Sequence, residues 1–268
     1  MNKNSRPYFS VCAIFKNEAL NLREWLDHYF NRGANKIYLI NDSSSDVFWP
    51  VIENHKRYGD IVIFENDIPK IHDRQTIAYN KFFYPVKSIS DWTLICDLDE
   101  FVYSPESKDL FSILQQFSDY DCIFANWVMF SSNKNINHPT SIIDSCTRRM
   151  EYGQIVHQRI NGINLTSATD ATKYFIKNSC QAQNLWVHKP THGNIKDINL
   201  SYASDLEILL INHYATQSRQ FWEQSKMIRG DVNCHHPDNA RDWNYFESLD
   251  FGDIIDTRLK DQNNDQCK

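Results

Sequence analysis

The chain has 268 residues, a formal net charge of −6 and 41% hydrophobic residues, enough to bury the core of one large α/β domain or two small ones. No basic run marks a nucleic-acid surface, so duplex DNA and RNA are not expected partners. No stretch approaches the ~18 apolar residues of a membrane span, and the first residues carry no apolar signal region. The seven cysteines are odd in number, scattered and never spaced C-x-x-C, which argues against a disulfide framework or a zinc site and for a reducing, cytoplasmic setting.

Taken in order, Tyr8–Phe15 reads as a strand ending at Lys16, Asn17 and Glu18. Leu22, Trp25, Leu26, Tyr29 and Phe30 follow at i, i+3, i+4, i+7 and i+8, which predicts an amphipathic helix stopped by Gly33. Lys36–Ile40 is a second strand. It runs into the polar cluster 41–46, Asn-Asp-Ser-Ser-Ser-Asp, expected to form a loop and an N-cap for a helix through Tyr58. Ile61–Phe64 is a third strand, and Asp73–Tyr84 a helix interrupted by Pro85. This alternation predicts βαβ units and a parallel sheet.

Trp92–Tyr103 is the stretch around which the rest is organised. Its apolar run Thr93–Cys96 reads as a strand buried on both faces, delivering Asp97, Asp99 and Glu100 at its C-terminal end. Ligands of open α/β sheets bind beyond the carboxyl ends of the strands. Three carboxylates there repel one another unless a cation compensates them, and hard oxygens spaced D-x-D suit Mg²⁺ or Mn²⁺. The bland reading is an acidic turn capping the next element. The other strand ends are polar too: Lys16 and Glu18, Asp42 and Asp46, then Asp67. Each alone reads as a turn or cap, but together on one edge they resemble a nucleotide cleft. Neither a G-x-G-x-x-G nor a P-loop pattern is present, and with seven glycines a Gly-rich phosphate cradle is not on offer.

Leu110, Ile113, Leu114 and Phe117 predict another helix, and Asp121–Phe130 an apolar strand containing Trp127. Beyond Ser131 the pattern weakens into longer polar connections, with strand candidates at Lys173–Ile176, Leu185–His188 and Ile208–Asn212. His213 stands at the end of the last of these. Ser218–Gly230 reads as a helix with Lys226 and Arg229 on adjacent turns. A lone histidine is more often structural, and two spaced cations more often a solvated face. An imidazole at a strand end could also complete a metal site begun by carboxylates. One domain over 1–260 with a frayed tail at 261–268 is the simplest organisation.

The ordered set Lys16-Asn17-Glu18, Glu24-Trp25-Leu26, 41–46, Trp92 with Asp97-Leu98-Asp99-Glu100-Phe101, Ile211-Asn212-His213-Tyr214 and Ser218…Lys226…Arg229-Gly230 resembles glycosyltransferase family 92 and its bacterial relatives, across about residues 8–232. That resemblance implies a GT-A fold: α/β, a Rossmann-like single domain with a mixed, mostly parallel central sheet flanked by helices. Residues 8–130 would be the nucleotide-sugar half and 131–232 the acceptor half. It also implies transfer of a hexose from a nucleotide sugar, a UDP-sugar by family expectation, to a glycan or lipid-linked hydroxyl with inversion, using Mn²⁺ or Mg²⁺. Carried over, Asp97, Asp99 and His213 hold the metal; Lys16, Glu18, Asp42 and Asp97 bind the donor; Lys226 and Arg229 stabilise the departing diphosphate. The base that takes the acceptor proton has no motif, and Asp144, Glu151, Asp170 and Asp205 are the candidates. Animal members carry a membrane anchor that this chain lacks, so the expected setting is a bacterial cytoplasm, at the inner membrane face when the acceptor is lipid-linked, in surface polysaccharide or lipooligosaccharide synthesis.

Two other classes compete. A haloacid-dehalogenase-type phosphatase also ends a strand in D-x-D, but near its N-terminus and followed two places on by Thr or Val, where this chain has Phe101 after three earlier strands. A non-catalytic sugar-binding module, or an inactive transferase homologue, would share the tryptophans and the acidic edge.

Overall fold

The computed structural model describes residues 9–151, 158–160, 163–165, 172–201, 207–230, 232 and 241–264. Nine strands share one sheet: β1 (Phe9–Phe15), β2 (Lys36–Asn41), β3 (Ile61–Glu65), β4 (Trp92–Ile95), β5 (Glu100–Tyr103), β6 (Cys122–Met129), β7 (Thr172–Lys177), β8 (Asp197–Asn199) and β9 (Leu210–His213). They run in the order β3-β2-β1-β4-β7-β6-β9-β5, with β8 alongside the first half of β6. The first four are mutually parallel, β7 is antiparallel to β4 and β6, β9 is parallel to β6, and β5 closes the order antiparallel to β9. This is the mixed, mostly parallel α/β sheet of the GT-A arrangement.

The first strands lack polar alternation because both faces are covered. Along β1, Phe9, Val11, Ala13 and Phe15 enter one core while Cys12 and Ile14 enter the other. The first core packs under helix α1 (Ala19–Asn31) through Leu22, Trp25, Leu26 and Tyr29, all fully buried. Gly33 ends α1 with φ +93°, a conformation that suits glycine, and a Cβ there would meet Asp109 Oδ1 at 2.6 Å. Helix α4 (Leu110–Gln116) joins the same core through Leu110, Ile113 and Leu114. The second core lies under Ala78, Tyr79, Phe83 and Val86.

The connection from β4 to β5 shapes the molecule. Only residues 96–99 separate the two strands, yet β7, β6 and β9 lie between them in the sheet. Four residues reach little more than ~14 Å, so the sheet must curl until its far edge meets the end of β4. Helix α1 holds the turn in place: Asn21 Nδ2 donates to the Leu98 carbonyl at 3.0 Å, Trp25 Nε1 to those of Asp97 and Glu100 at 3.1 Å each, and Tyr29 Oη to that of Glu100 at 2.9 Å.

Several local expectations change. The stretch Trp92–Tyr103 is two strands and a turn rather than one strand with an acidic end. The helix expected through Tyr58 stops at Glu53 (α2, Trp49–Glu53), and Asp46 caps α1 instead, accepting from Ala19 N at 2.8 Å. Pro85 does not interrupt its helix. Arg74–Ala78, Tyr79–Phe83 and Tyr84–Lys87 form one run, α3, with a π-helical turn before the proline; Pro85 sits in the first turn of the last segment, where its ring is tolerated. Of Leu185–His188 only Leu185 is in a strand, Asn184–Leu185. The tail is ordered further than expected: a helix at Arg258–Asn264 buries Leu259, and Arg32 Nη2 donates to Asn263 Oδ1 at 3.0 Å. Among the described residues no helix is long and apolar enough to cross a membrane.

Candidate active site

Parallel strands put their carboxyl ends on one edge, and the loops there interlock. Asn17 follows β1 with φ +56°, which asparagine tolerates; its Oδ1 accepts from Ser45 N at 2.8 Å and its N–H donates to Ser44 Oγ at 3.1 Å. The polar cluster after β2 is thus tied to the loop after β1. A cleft of about 560 Å³, open mouth included, lies above them and brings together Lys16, Glu18, Asp42, Asp97, Asp99 and Arg229. Asp42 is buried at its wall, accepting from Asn66 Nδ2 at 2.8 Å and paired with the guanidinium of Arg74. Asp67 stands apart, exposed and paired with Lys81 at 2.6 Å.

The acidic turn is internally braced. Glu100 Oε2 accepts from Asp97 N at 2.8 Å, and the register opposes Glu100 to His213 across the β5–β9 pair. Because β9 is parallel to β6, His213 arrives at the same edge as Asp99, with Nε2 3.5 Å from Asp99 Oδ2. Asp99, Glu100 and His213 each offer one ligand atom, and these lie within 4.8 Å of one another. Glu100 Oε1 accepts no hydrogen bond. Two hard carboxylate oxygens and an imidazole suit Mn²⁺ or Mg²⁺, so the residues present fit the divalent cation of the GT-A enzymes. Asp97 is not part of this trio. Its Oδ2 is 2.8 Å from Nζ of Lys173, which also lies 3.6 Å from Glu100 Oε1.

Charge is matched group by group. Burial would raise the Asp97 carboxyl, but the Lys173 ammonium outweighs it and the net displacement is downward. At Asp99 burial is likewise overcome, by Lys226 and His213, and the carboxyl is held well below its usual range. Glu100 goes the other way, burial raising it well above that range because Lys173 offsets only part of the cost. Lys226 is lowered by burial and by neighbouring Arg229. Arg229 pairs with Glu18, which binds the late helix α6 (residues 219–229) to the loop after β1, and Ser225 Oγ donates to the Asn17 carbonyl at 2.5 Å.

A second cavity of about 630 Å³, mouth included, shares Asp97, Asp99, Arg229 and Arg241 with the first. Trp127 and Tyr245 form part of its wall, and His213 and Lys226 face it. The base candidates lie elsewhere. Asp144 is exposed in the short helix α5 (Ile142–Ser145), Glu151 is exposed, and neither lines either cavity; Asp170 and Asp205 fall outside the described residues. The residues that sequence reasoning passed over are Lys173, Arg74, Tyr245 and Arg241, which lines both cavities. The signal at Lys173 was a lysine heading an otherwise apolar strand.

Two cavities thus share a charge-balanced acidic turn on the carboxyl edge of an α/β sheet, where the ligands of such sheets bind. The sequence matches the model of glycosyltransferase family 92 over residues 7–265, so the chain belongs to that family and is a glycosyltransferase. No curated protein matches it. Among solved structures it is similar to TarS 1–349 of S. aureus, at 13% identity and TM-score 0.37, covering 64% of this chain and 47% of that one. The same fragment has been solved in complex with UDP, with TM-score 0.36. HddC from Yersinia pseudotuberculosis is similar at 9% identity and TM-score 0.39, covering 72% of this chain and 90% of that one. The chain therefore spans about half the length of the TarS fragment.

Proposed function

We propose that this glycosyltransferase is metal-dependent and moves a hexose from a UDP-sugar to a hydroxyl of a glycan or lipid-linked saccharide, with inversion. In this reading the cleft above β1, β2 and β4 holds the donor, and the acceptor side draws on residues of 131–232 together with Trp127, Met129, Tyr245 and Leu249. The observation that carries it is that Asp99 and Arg229 line both cavities, with His213, Lys226 and the buried Glu100 gathered around Asp99. Lys16, Glu18 and Asp42 lie along the nucleotide, with Asp42 placed for base or ribose. Asp99, Glu100 and His213 would hold the cation, which neutralises the donor diphosphate when bound. Lys226 and Arg229 take up the negative charge that grows as the nucleoside diphosphate leaves. Inversion calls for a base on the acceptor side to take the hydroxyl proton, with Asp144, Glu151, Asp170 and Asp205 as the candidates. The product would enter surface polysaccharide or lipooligosaccharide synthesis at the inner face of the membrane.

The test is thermal stabilisation by a nucleotide panel with and without Mn²⁺, beside release of UDP from UDP-galactose, UDP-glucose and UDP-N-acetylhexosamines. UDP with Mn²⁺ should raise the melting temperature of the native protein and not of Asp99→Ala. If no nucleotide shifts the native protein, the donor assignment is wrong and a non-catalytic sugar-binding role takes its place.

A further inference from the structure

We infer that the second cavity is a binding site for a single pyranose ring of the acceptor, with Trp127 and Tyr245 as its stacking walls. This rests on the donor reading above, because the cavity shares Asp97, Asp99 and Arg229 with the donor cleft. An occupant of one therefore abuts an occupant of the other across the acidic turn.

The lining combines two chemistries. Trp127, Tyr245, Met129 and Leu249 supply apolar surface, and Asp97, Asp99, His213, Lys226 and Arg229 supply polar and charged groups among and beside them. A pyranose combines the same two. Its axial C–H groups make an apolar face that lies on an aromatic ring, while its rim of hydroxyls needs donors and acceptors. A flexible polyol lacks the flat apolar face, and an aliphatic chain lacks the polar rim.

The two rings are also braced before anything binds. Trp127 packs against His213 with ring centroids 4.2 Å apart and against His188 at 5.5 Å. Tyr245 lies 5.9 Å from Trp222, which packs on Phe246 at 5.3 Å and donates Nε1 to the Asp242 carbonyl at 3.1 Å. Both rings are half-buried, so each keeps surface for a ligand while its position is fixed by neighbours. Rings held this way lose little freedom on binding. Trp127 reaches the site because it lies on the second half of β6, opposite Ile211 of β9, where the sheet curls.

Saturation-transfer NMR tests this on the full chain with UDP and Mg²⁺, using the methyl pyranosides of galactose, glucose, mannose and N-acetylglucosamine, with glycerol as the non-ring polyol. At least one pyranoside should receive saturation chiefly on the C–H protons of one ring face, and glycerol none. The signal should fall severalfold in Trp127→Leu and in Tyr245→Ala while the affinity for UDP holds. Should Trp127→Leu fail to fold, Tyr245→Ala decides, since it leaves the contact between Trp127 and His213 in place. UDP binding without transfer to any pyranoside, or transfer undiminished in the folded variants, overturns the acceptor site and leaves the donor reading standing. Failure of UDP itself to bind removes the donor reading and this inference with it.

Discussion

Lys173 places its ammonium 2.8 Å from Asp97, a residue 76 positions earlier, with its side chain fully buried. The same Nζ stands 3.6 Å from the wholly buried Glu100. One strand inserted antiparallel beside β4 thus supplies the charge that lets two carboxylates share a tight turn. Removing one partner of a buried pair leaves the other uncompensated, at a cost of about 3–5 kcal/mol. Lys173→Met should lower the urea midpoint accordingly, and Mn²⁺ should stabilise the variant more than the native protein. Equal stability of the two would show that the pair contributes nothing.

Trp25 reaches the acidic turn from below. Its indole N–H serves two carbonyls, those of Asp97 and Glu100, each at 3.1 Å. Trp25→Phe keeps most of the buried ring and deletes the donor, which should cost about 1–3 kcal/mol. Because those carbonyls flank Asp99, turnover with a UDP-sugar should drop as well. Unchanged kcat with reduced stability would separate the brace from the chemistry.

The cation trio makes a ranking that a bare D-x-D does not. With Mn²⁺ alone, calorimetric titration should show Asp99→Asn and His213→Ala weakening binding by on the order of tenfold or more. Asp97→Asn should weaken it less, since Asp97 is engaged by Lys173 and lies outside the trio. The reverse ranking would return Asp97 to the ligand set.

His138 provides a pH test away from the site. Burial lowers its pKa from 6.5 to about 4, the backbone at Leu20 opposing this only in part. The unfolded chain takes up a proton near pH 6.5 and the folded one does not until about 4, so the unfolded state binds more protons between these values. This contribution is whole above pH 6.5 and is lost as pH falls toward 4. After discounting for partial exposure it amounts to about 2 kcal/mol. Stability curves at pH 7 and pH 5 should therefore converge in His138→Gln relative to the native protein.

Much of the first half could be read locally. The helix stripe from Leu22 to Phe30 and the strands at β1, β2 and β3 depend on windows of a few residues, and burial on both faces leaves a plain signature of continuous apolar runs. The polar ends of those strands were equally visible, because a parallel sheet leaves them no other edge to occupy. The misreadings came where a local pattern had two solutions. Trp92–Tyr103 looks like one apolar run with an acidic tail, but its second half pairs with a strand more than a hundred residues later. Asp46 has the chemistry of a cap for whatever helix is nearest in space, which is α1 rather than α2.

By itself the sequence determined the strand-rich α/β class, the run of acids at the end of β4, the late histidine and the cations of α6. Those follow from hydrophobic period, turn chemistry and residue type. Only the tertiary structure decided which of them meet. The antiparallel pairing of β7 with β4 brought Lys173 to Asp97, the β5–β9 register set Glu100 opposite His213, and Trp127 on β6 came to line the second cavity. Such choices rest on register and on pairings between distant strands, where many arrangements satisfy the same local pattern and long-range packing selects one.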